Sequence, residues 1–269
     1  MAQGQGAYPA ARCKVVYLVR HGQATHNKAR LESPNDSVYE SEAYFDAPLT
    51  ELGWRQAQQV REHICNTGSI QPQLVVTSPL SRCIQTAVGI FGSGNSLGPG
   101  ESNSNALMQN SVASHGLGIS SLGCPRFVAV EWCRERMGQH PCDRRRTICK
   151  LQDQYPAVDF SEIVHDVDVH YKPTQRETEE EVRYRAQVFT NWLMNLSETR
   201  IAVVAHSGFI WEFTRLFGDD LSETVKSELQ LGYANCELRA IMLVDKLGLA
   251  QAIFPADFPG CSAKYFPGQ

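Results

Sequence analysis

The chain has 269 residues and a mass of 30.0 kDa, and its 42% hydrophobic and 20% charged residues exclude long disorder. A formal net charge of -4 argues against a nucleic-acid partner, because a basic excess is the usual footprint of such binding. No segment approaches the roughly 18 apolar residues that span a bilayer, and no signal-like start is present, so we expect a cytoplasmic protein without a membrane partner.

Predicted strands and helices alternate along the chain. Residues 14–19 form a β-branched run, typical of a buried strand, which stops at Arg20-His21-Gly22. Thr50 is a predicted N-cap, because an apolar stripe at helical spacing follows it at Ala57, Val60 and Ile64.

A second strand and helix are predicted next. Residues 74–77 form the strand, and Ser78-Pro79 predicts the helix start, with Ser78 as N-cap and Pro79 at the first helical position. We expect this helix to end at Gly92. Residues 91–123 are rich in Gly, Ser and Asn, which is typical of either a solvated insertion or a lid over a site.

The second half of the chain continues the pattern. Thr178 and Glu181 form a predicted capping box, which opens an amphipathic helix with an apolar stripe of Val182, Ala186, Phe189, Leu193 and Leu196. Residues 201–205 and 238–244 predict two further strands.

This alternation predicts an α/β fold, a three-layer sandwich with a mostly parallel central sheet flanked by helices. We expect a single domain over residues 1–269, with its core at about 14–245. The chain has nine cysteines but no CxxC pair, so reduced thiols are expected rather than a zinc site or a disulfide framework.

Polar clusters follow three of the predicted strands: Arg20-His21-Gly22, the run 78–82 and His206-Ser207-Gly208. Ligands of open α/β sheets bind at the carboxyl edge of the strands, where such clusters converge. Arginine forks bind phosphate oxygens, and a neutral imidazole can attack phosphorus. A second histidine can complete a cationic cradle in place of magnesium, so we expect no metal and no other cofactor.

These residues and their neighbours resemble the histidine phosphatase superfamily. The resemblance rests on Arg20-His21-Gly22 after a hydrophobic strand, Asn27, the LTxLGxxQA run at 49–57, SPLSRCIQTA at 78–87 and VVAHSG at 203–208. Two further segments, 133–146 and 155–163, resemble the plant and fungal phosphoglycerate-mutase-like proteins of that superfamily.

The resemblance implies a role for each matching residue and a small phosphorylated metabolite as substrate. His21 would be the phosphorylated nucleophile. The groups that would hold the phosphoryl group are the side chains of Arg20, Asn27, Arg82 and His206 and the backbone N–H groups of Ser207 and Gly208.

A carboxylic acid is also needed, because the leaving alcohol must take up a proton and water must later lose one. In the superfamily this Glu lies between the second arginine and the second histidine, shortly before a Gly. Glu135 fits this position best, although it lies one residue closer to Gly138 than the pattern, and Glu131 is the alternative.

Two further polar runs are open to interpretation. Arg144, Arg145 and Arg146 either extend the cradle to a second anionic group or form a solvated basic turn. The segment 165–170 carries two histidines and two aspartates, metal-like residue types, but lies far in sequence from the other motifs, which favours a structural role.

The expected activity is that of a phosphatase. Mutases of the superfamily typically carry Trp before the Asn, where this chain has His26, and a polar Asn soon after the second histidine, where it has 209–211 (FIW). Mutase activity is the alternative. A third hypothesis, a weakly active phosphoester-binding regulatory protein, is disfavoured because both histidines and both arginines are present.

Overall fold

The computed structural model describes residues 6–33, 35, 37–93, 103–109 and 118–250. The strands are β1 (Cys13–Arg20), β2 (Leu74–Thr77), β3 (Ala106–Met108), β4 (Ile119–Ser120), β5 (Arg126–Ala129), β6 (Val158–Asp159), β7 (Arg200–Ala205) and β8 (Leu238–Val244). The α-helices are α1 (Thr25–Glu32), α2 (Ser37–Glu40), α3 (Glu51–Thr67), α4 (Ser81–Phe91), α5 (Ile148–Gln154), α6 (Glu179–Asn195), α7 (Ser207–Thr214) and α8 (Glu223–Leu229).

The main sheet has six strands in the order β6-β5-β2-β7-β1-β8. Its neighbours pair in parallel except β8, which runs antiparallel to β1 at one edge. Strands β2 and β7 are apolar and almost wholly buried because helices cover both faces of the sheet. The prediction of a mostly parallel sheet is therefore confirmed.

Helices form a layer on each side of this sheet. Apolar residues of α3 and α4 pack on one face, and those of α6 and α7 pack on the other. Thr50 caps α3 and the Thr178–Glu181 capping box opens α6, both as predicted. The stripe of α6 is buried from Val182 to Leu193, while Leu196 lies at the C-cap and is partly buried. The three-layer architecture is thus confirmed.

The predicted start of α4 was wrong. The helix begins at Ser81 with Leu80 as N-cap, two residues after the expected cap. The carboxylate of Asp46, distant in sequence, accepts hydrogen bonds from the backbone N–H and the hydroxyl of Ser81. Because Asp46 satisfies the helix end, Ser78 lies outside the helix. The predicted end at Gly92 is confirmed, since Gly92 is the C-cap.

The expected insertion at 91–123 is not uniformly a loop. Its described part contains β3 and β4, which pair antiparallel, and Ala106, Leu107 and Met108 are buried. Ser120 accepts a hydrogen bond from Ser93, just past the C-terminal end of α4. These residues therefore pack on the core near the C-terminal end of α4. The remaining residues, 94–102 and 110–117, for which a lid was one interpretation, lie outside the described residues.

No helix among the described residues is both long and apolar enough to cross a membrane.

Candidate active site

The central strands bring the three polar clusters together. In the parallel register of β1 and β7, Arg20 is opposite Ala205, so His21 and His206 follow at the same edge. The His21 N–H donates to the Ala205 carbonyl at 3.0 Å. The two imidazole rings lie edge to face with their centres 5.1 Å apart. The predicted convergence of the two histidines is therefore present in the structure.

Gly22 leaves room for neighbouring groups to pack closely beside His21. A Cβ at this position would lie 2.8 Å from the Gly53 carbonyl oxygen and 3.1 Å from Cys236 Sγ. The first contact is closer than a real side chain permits, because the backbone of Gly53 cannot move aside. The absence of a side chain at Gly22 therefore lets α3 pack against the loop that carries His21.

The hydrogen bonds of His21 define its tautomer. Nδ1 lies 2.7 Å from the Gly22 carbonyl oxygen, which can only accept, so Nδ1 carries the proton. Arg82 Nε, which can only donate, lies 3.3 Å from His21 Nε2. Nε2 therefore keeps its lone pair. Burial, together with Arg82 and Arg20, holds the pKa of His21 well below its usual range, so the ring is neutral.

Arg82 is fixed by acceptors on its other two nitrogens. Nη1 donates to the Cys142 carbonyl at 2.6 Å and Nη2 donates to Asp143 Oδ1 at 2.7 Å. Asp143 Oδ2 also accepts from Arg176 at 2.8 Å. Burial raises the pKa of Asp143, but Arg82 and Arg176 outweigh that effect and the pKa lies below its usual value. Asp143 is thus an anion that holds Arg82 against His21.

Arg20 approaches the same site from the end of β1. Its Nη1 donates to the Tyr233 carbonyl at 2.7 Å. Its Nε is buried and has no acceptor among the described residues. Burial lowers the pKa of Arg20, and the carboxylate of Glu135 partly offsets this. The unpaired N–H is a donor available for an anion.

His206 is the more enclosed of the two histidines and is fully buried. Its Nε2 lies 2.9 Å from Ser78 Oγ and 3.3 Å from Cys83 Sγ. Burial, with Arg82 and His21 nearby, places the pKa of His206 well below its usual range. The ring is therefore neutral in the folded protein, whereas the sequence interpretation gave it a positive charge in the cradle. Any protonation of His206 requires a bound anion to stabilise it.

The two candidate acids lie in different surroundings. Glu135 Oε2 accepts a hydrogen bond from the Gly208 N–H at 3.1 Å, in the first turn of α7, and its charge acts on Arg20. Glu131 instead binds the buried Arg134 at 2.8 Å and the buried Arg145 at 2.6 Å. Glu135 is therefore at the site, and Glu131 is occupied in an ion-pair network away from it.

Two of the predicted phosphate ligands, Gly208 and Asn27, have protein partners of their own, and a third, Ser207, is exposed. The Gly208 N–H is bound to Glu135, which corrects the expectation that it is available to a phosphate. Ser207 begins α7 and is exposed. Asn27 lies in the first turn of α1, where Oδ1 accepts from the Ala24 N–H at 3.0 Å and Nδ2 lies 3.0 Å from His26 Nε2.

The basic run is neither a free extension of the cradle nor a solvated turn. Arg144 pairs with Glu42 at 2.6 Å, and Arg146 pairs with the buried Asp46 at 3.0 Å. Arg145 is buried, and besides Glu131 it donates to carbonyl oxygens in the segment 165–167. Each of these arginines already has an anionic partner in the protein.

The acidic residues of 165–170 also have structural partners. Asp168 binds Arg134 through both oxygens, at 3.0 and 2.6 Å, and Asp166 Oδ1 accepts from the Cys149 N–H at 2.8 Å. Over the described residues, no group of three His, Cys, Asp or Glu side chains is arranged to hold a metal ion.

Sequence analysis missed three residues that the structure brings to the site. Asp143 holds Arg82, and Asn235 Nδ2 donates to the His21 carbonyl at 2.9 Å. His26 is buried with its ring centre 6.3 Å from that of His21. The available signals were weak: His26 lies beside a motif residue, and Asp143 lies within the characteristic run 133–146.

Comparison with known proteins identifies the family of the chain. The model of the histidine phosphatase superfamily (branch 1) matches residues 16–96. A phosphoglycerate mutase-like protein of Arabidopsis thaliana is 43% identical over 266 residues, which cover 96% of this chain and 95% of the relative. Phosphoglycerate mutase-like protein 1 of the same plant is 42% identical over 262 residues, covering 96% of this chain and 90% of the relative.

Among solved structures, a mycobacterial glucosyl-3-phosphoglycerate phosphatase aligns with a TM-score of 0.44 at 18% identity, over 86% of this chain and 91% of that one. The assignment of the chain to a family rests on the plant relatives, because they match nearly the whole chain at high identity. The chain therefore belongs to the histidine phosphatase superfamily, among its phosphoglycerate mutase-like proteins.

Proposed function

We propose that the protein is a metal-independent phosphoester hydrolase that acts on a small phosphorylated metabolite through a phosphohistidine at His21. The observation that carries the proposal is the state of His21: its Nδ1–H is bound to the Gly22 carbonyl, and its Nε2 lone pair faces the Arg82 guanidinium. A neutral imidazole with a directed lone pair is a competent nucleophile towards phosphorus.

Charge in the transition state is stabilised by the two arginines. Arg20 offers its unpaired Nε–H, and Arg82 Nε can move from His21 Nε2 to a phosphoryl oxygen as the nitrogen forms its bond to phosphorus. The amide of Asn27 has a second N–H that can donate to the same group. In this step the N–P bond forms at His21 and the P–O bond to the alcohol breaks.

Glu135 is the proposed general acid and base. Protonated, it gives its proton to the leaving alcohol oxygen; as a carboxylate, it then takes a proton from the water that attacks phosphohistidine. Its hydrogen bond to Gly208 and its interaction with Arg20 support this assignment. The products are the alcohol and inorganic phosphate, and His21 is regenerated.

One observation favours a hydrolase over a mutase. A mutase acting on phosphoglycerates holds a carboxylate as well as the phosphoryl group, and the basic run 144–146 would be the natural place for it. All three arginines of that run are instead paired with carboxylates of the protein, Glu42, Glu131 and Asp46. The alternative of a weakly active binding protein is less favoured, because the nucleophile, the arginines and a carboxylate lie together.

We also propose that the chain forms one domain and works in the cytoplasm. The apolar residues of both helix layers pack on a single main sheet, whose strands come from residues 13–244. The cysteines of the described residues are free thiols, which suits a reducing compartment.

The test is hydrolysis of p-nitrophenyl phosphate in excess EDTA by the wild type and by His21→Ala. This substrate has a good leaving group, so formation of the phosphohistidine does not depend on a proton from the acid. We expect the wild-type rate to survive EDTA and the variant to lose activity by a factor of about 10³ or more, since no other group can form the covalent intermediate. Substantial turnover by His21→Ala, or loss of the wild-type rate in EDTA, would overturn the mechanism.

A second arm tests the acid. Glu135→Gln is expected to keep most of the rate at which p-nitrophenyl phosphate phosphorylates His21, measured as the burst of p-nitrophenol, but to lose about 10²-fold or more in turnover of an alkyl phosphate such as glycerol phosphate. Glu131→Gln is the matched control, because it removes a carboxylate that lies in the same segment but outside the site. If Glu131→Gln shows the selective loss on the alkyl phosphate and Glu135→Gln does not, Glu131 is the acid.

A further inference from the structure

The ring of His26 lies close to that of the nucleophile, His21. Its ring centre is 6.3 Å from that of His21, and the rings are tilted by 47°. Arg82 and Arg20, the two arginines that act on His21, also act on the ring of His26. A group that contacts His21 Nε2 and both arginines therefore lies next to His26.

The neighbours of His26 fix its tautomer. Asn27 Oδ1 accepts from the backbone N–H of Ala24, so the other terminal atom of the amide is the NH₂ group. This Nδ2 lies 3.0 Å from His26 Nε2 and can only donate to it. Nε2 of His26 is thus an acceptor, and the proton of the neutral ring is on Nδ1.

This Nδ1–H is a donor without an acceptor. The side chain is buried, with 5% of its residue surface exposed, and Nδ1 has no hydrogen-bond partner among the described residues. A buried N–H left unpaired costs free energy comparable to a lost hydrogen bond. Such a group at the edge of an anion site is most simply explained if a ligand supplies the acceptor.

We propose that His26 Nδ1–H donates a hydrogen bond to a non-bridging oxygen of the bound phosphoryl group, which makes His26 a substrate-binding residue. This inference rests on the proposed function of the site. Asn27 has a positioning role in this proposal. By donating to Nε2, it keeps the proton of His26 on Nδ1, the nitrogen without an acceptor among the described residues.

His26 contributes a dipole rather than a charge. Burial and the nearby Arg82 lower the pKa of His26 to about 3, so the ring stays neutral in the empty site. In the empty site at neutral pH, the ring therefore offers the Nδ1–H of a neutral imidazole and not a positive charge. This distinguishes it from a protonated histidine, whose contribution would decline as the pH rises through its pKa.

Two substitutions separate the donor from the contact with Asn27. His26→Gln can place its amide oxygen near the position of Nε2, where it accepts from Asn27, but it removes the Nδ1 donor. His26→Asn places an amide N–H near the position of Nδ1 and loses the acceptor for Asn27. The probe is inorganic phosphate, and its dissociation constant is measured by titration calorimetry, with Arg82→Met identifying the site by its loss of binding.

We expect His26→Gln to bind phosphate roughly 10- to 100-fold more weakly, as for loss of a hydrogen bond to a charged acceptor, and His26→Asn to bind within about threefold of the wild type. Equal binding by the wild type and His26→Gln, or weaker binding by His26→Asn alone, overturns the inference while the proposed function stands. Failure of the wild type to bind phosphate at the Arg82 site removes the proposed function and this inference with it.

A measurement on the unmodified protein covers the case in which a variant does not fold. In ¹⁵N-labelled wild type, long-range histidine spectra report the tautomer and the exchange of the His26 Nδ1 proton. Saturating phosphate is expected to slow that exchange at least tenfold and to shift the proton downfield. An Nδ1 signal that is indifferent to phosphate, while the His21 signals respond, would rule the hydrogen bond out.

Discussion

The backbone N–H of Gly208 donates to Glu135 Oε2 at 3.1 Å, which links the candidate acid to the first turn of α7. The carboxylate lies so close that a Cβ on Gly208 would overlap Glu135 Oε1. Glu135 comes from an irregular segment, and its position therefore depends on the shape of a helix 73 residues further along the chain.

Gly208→Ala is expected to displace this carboxylate without unfolding the protein, because the overlapping atom is the mobile end of a side chain. Phosphorylation of His21 by alkyl phosphates should slow by about 10- to 100-fold, while the burst of p-nitrophenol from p-nitrophenyl phosphate should change less than threefold. Gly232→Ala is the control, since nothing lies within 4 Å of its added methyl group. Equal losses on both substrates would mean that the helix, not the acid, had been disturbed.

Asp143 holds two arginines, and we expect Asp143→Asn to lower the free energy of unfolding by about 3–5 kcal/mol. The charge of Arg82 is then left buried and without its anion, which is the costly way to break a buried ion pair. Urea unfolding measures the loss, and phosphate affinity should fall with it because Arg82 is no longer held against His21.

The control for Asp143 is an exposed ion pair in α1. Lys28 and Glu32 are 3.7 Å apart and more than half exposed, so Lys28→Ala should cost no more than about 0.5 kcal/mol. If both variants cost the same, the Asp143 network contributes nothing beyond a surface pair.

Glu131→Gln should affect stability and leave chemistry alone. Glu131 neutralises Arg134 and Arg145, both buried, so its loss is expected to cost about 3 kcal/mol in unfolding free energy. The rate per folded molecule should stay within twofold of the wild type on alkyl phosphates at 20 °C. A stable variant with slow turnover would return Glu131 to the list of candidate acids.

Sequence reasoning located the residues that follow buried strands. His21 and His206 come directly after runs of apolar residues, and parallel strands bring such positions to one edge whatever the intervening loops do. Arg82 was found for a related reason, since it lies in the first turn of the helix that follows β2.

The residues that sequence reasoning missed depend on contacts between distant, irregular segments. Asp143 lies in a short 3-10 helix, Pro141–Asp143, and its partner Arg82 is 61 residues away. The start of α4 was misplaced for the same reason, because its cap comes from Asp46 rather than from the local Ser78. No periodicity or local propensity encodes a pairing of this kind, so only the assembled structure reveals it.

The buried histidines predict how stability depends on pH. His21, His26 and His206 all have lowered pKa values in the folded protein, chiefly because of burial, whereas in the unfolded chain they titrate near pH 6.5. Below that pH the unfolded state takes up protons that the folded state does not. The free energy of unfolding is therefore level above about pH 7 and falls as the pH is lowered. Once a histidine is fully charged in the unfolded chain, it lowers this free energy by roughly 1.4 kcal/mol for each pH unit.

Urea unfolding followed by tryptophan fluorescence should show this as a loss of about 3 kcal/mol between pH 6 and pH 5. Lowered carboxylate pKa values, such as that of Asp143, add to the loss only below about pH 5, while Asp46, whose pKa burial raises, opposes it. His26→Gln removes one of the three groups and should reduce the pH 6 to 5 loss by about 1 kcal/mol. A free energy that is level from pH 7.5 to 5 would mean that these rings accept protons in the folded site, and His21 would then lack the lone pair that its proposed role requires.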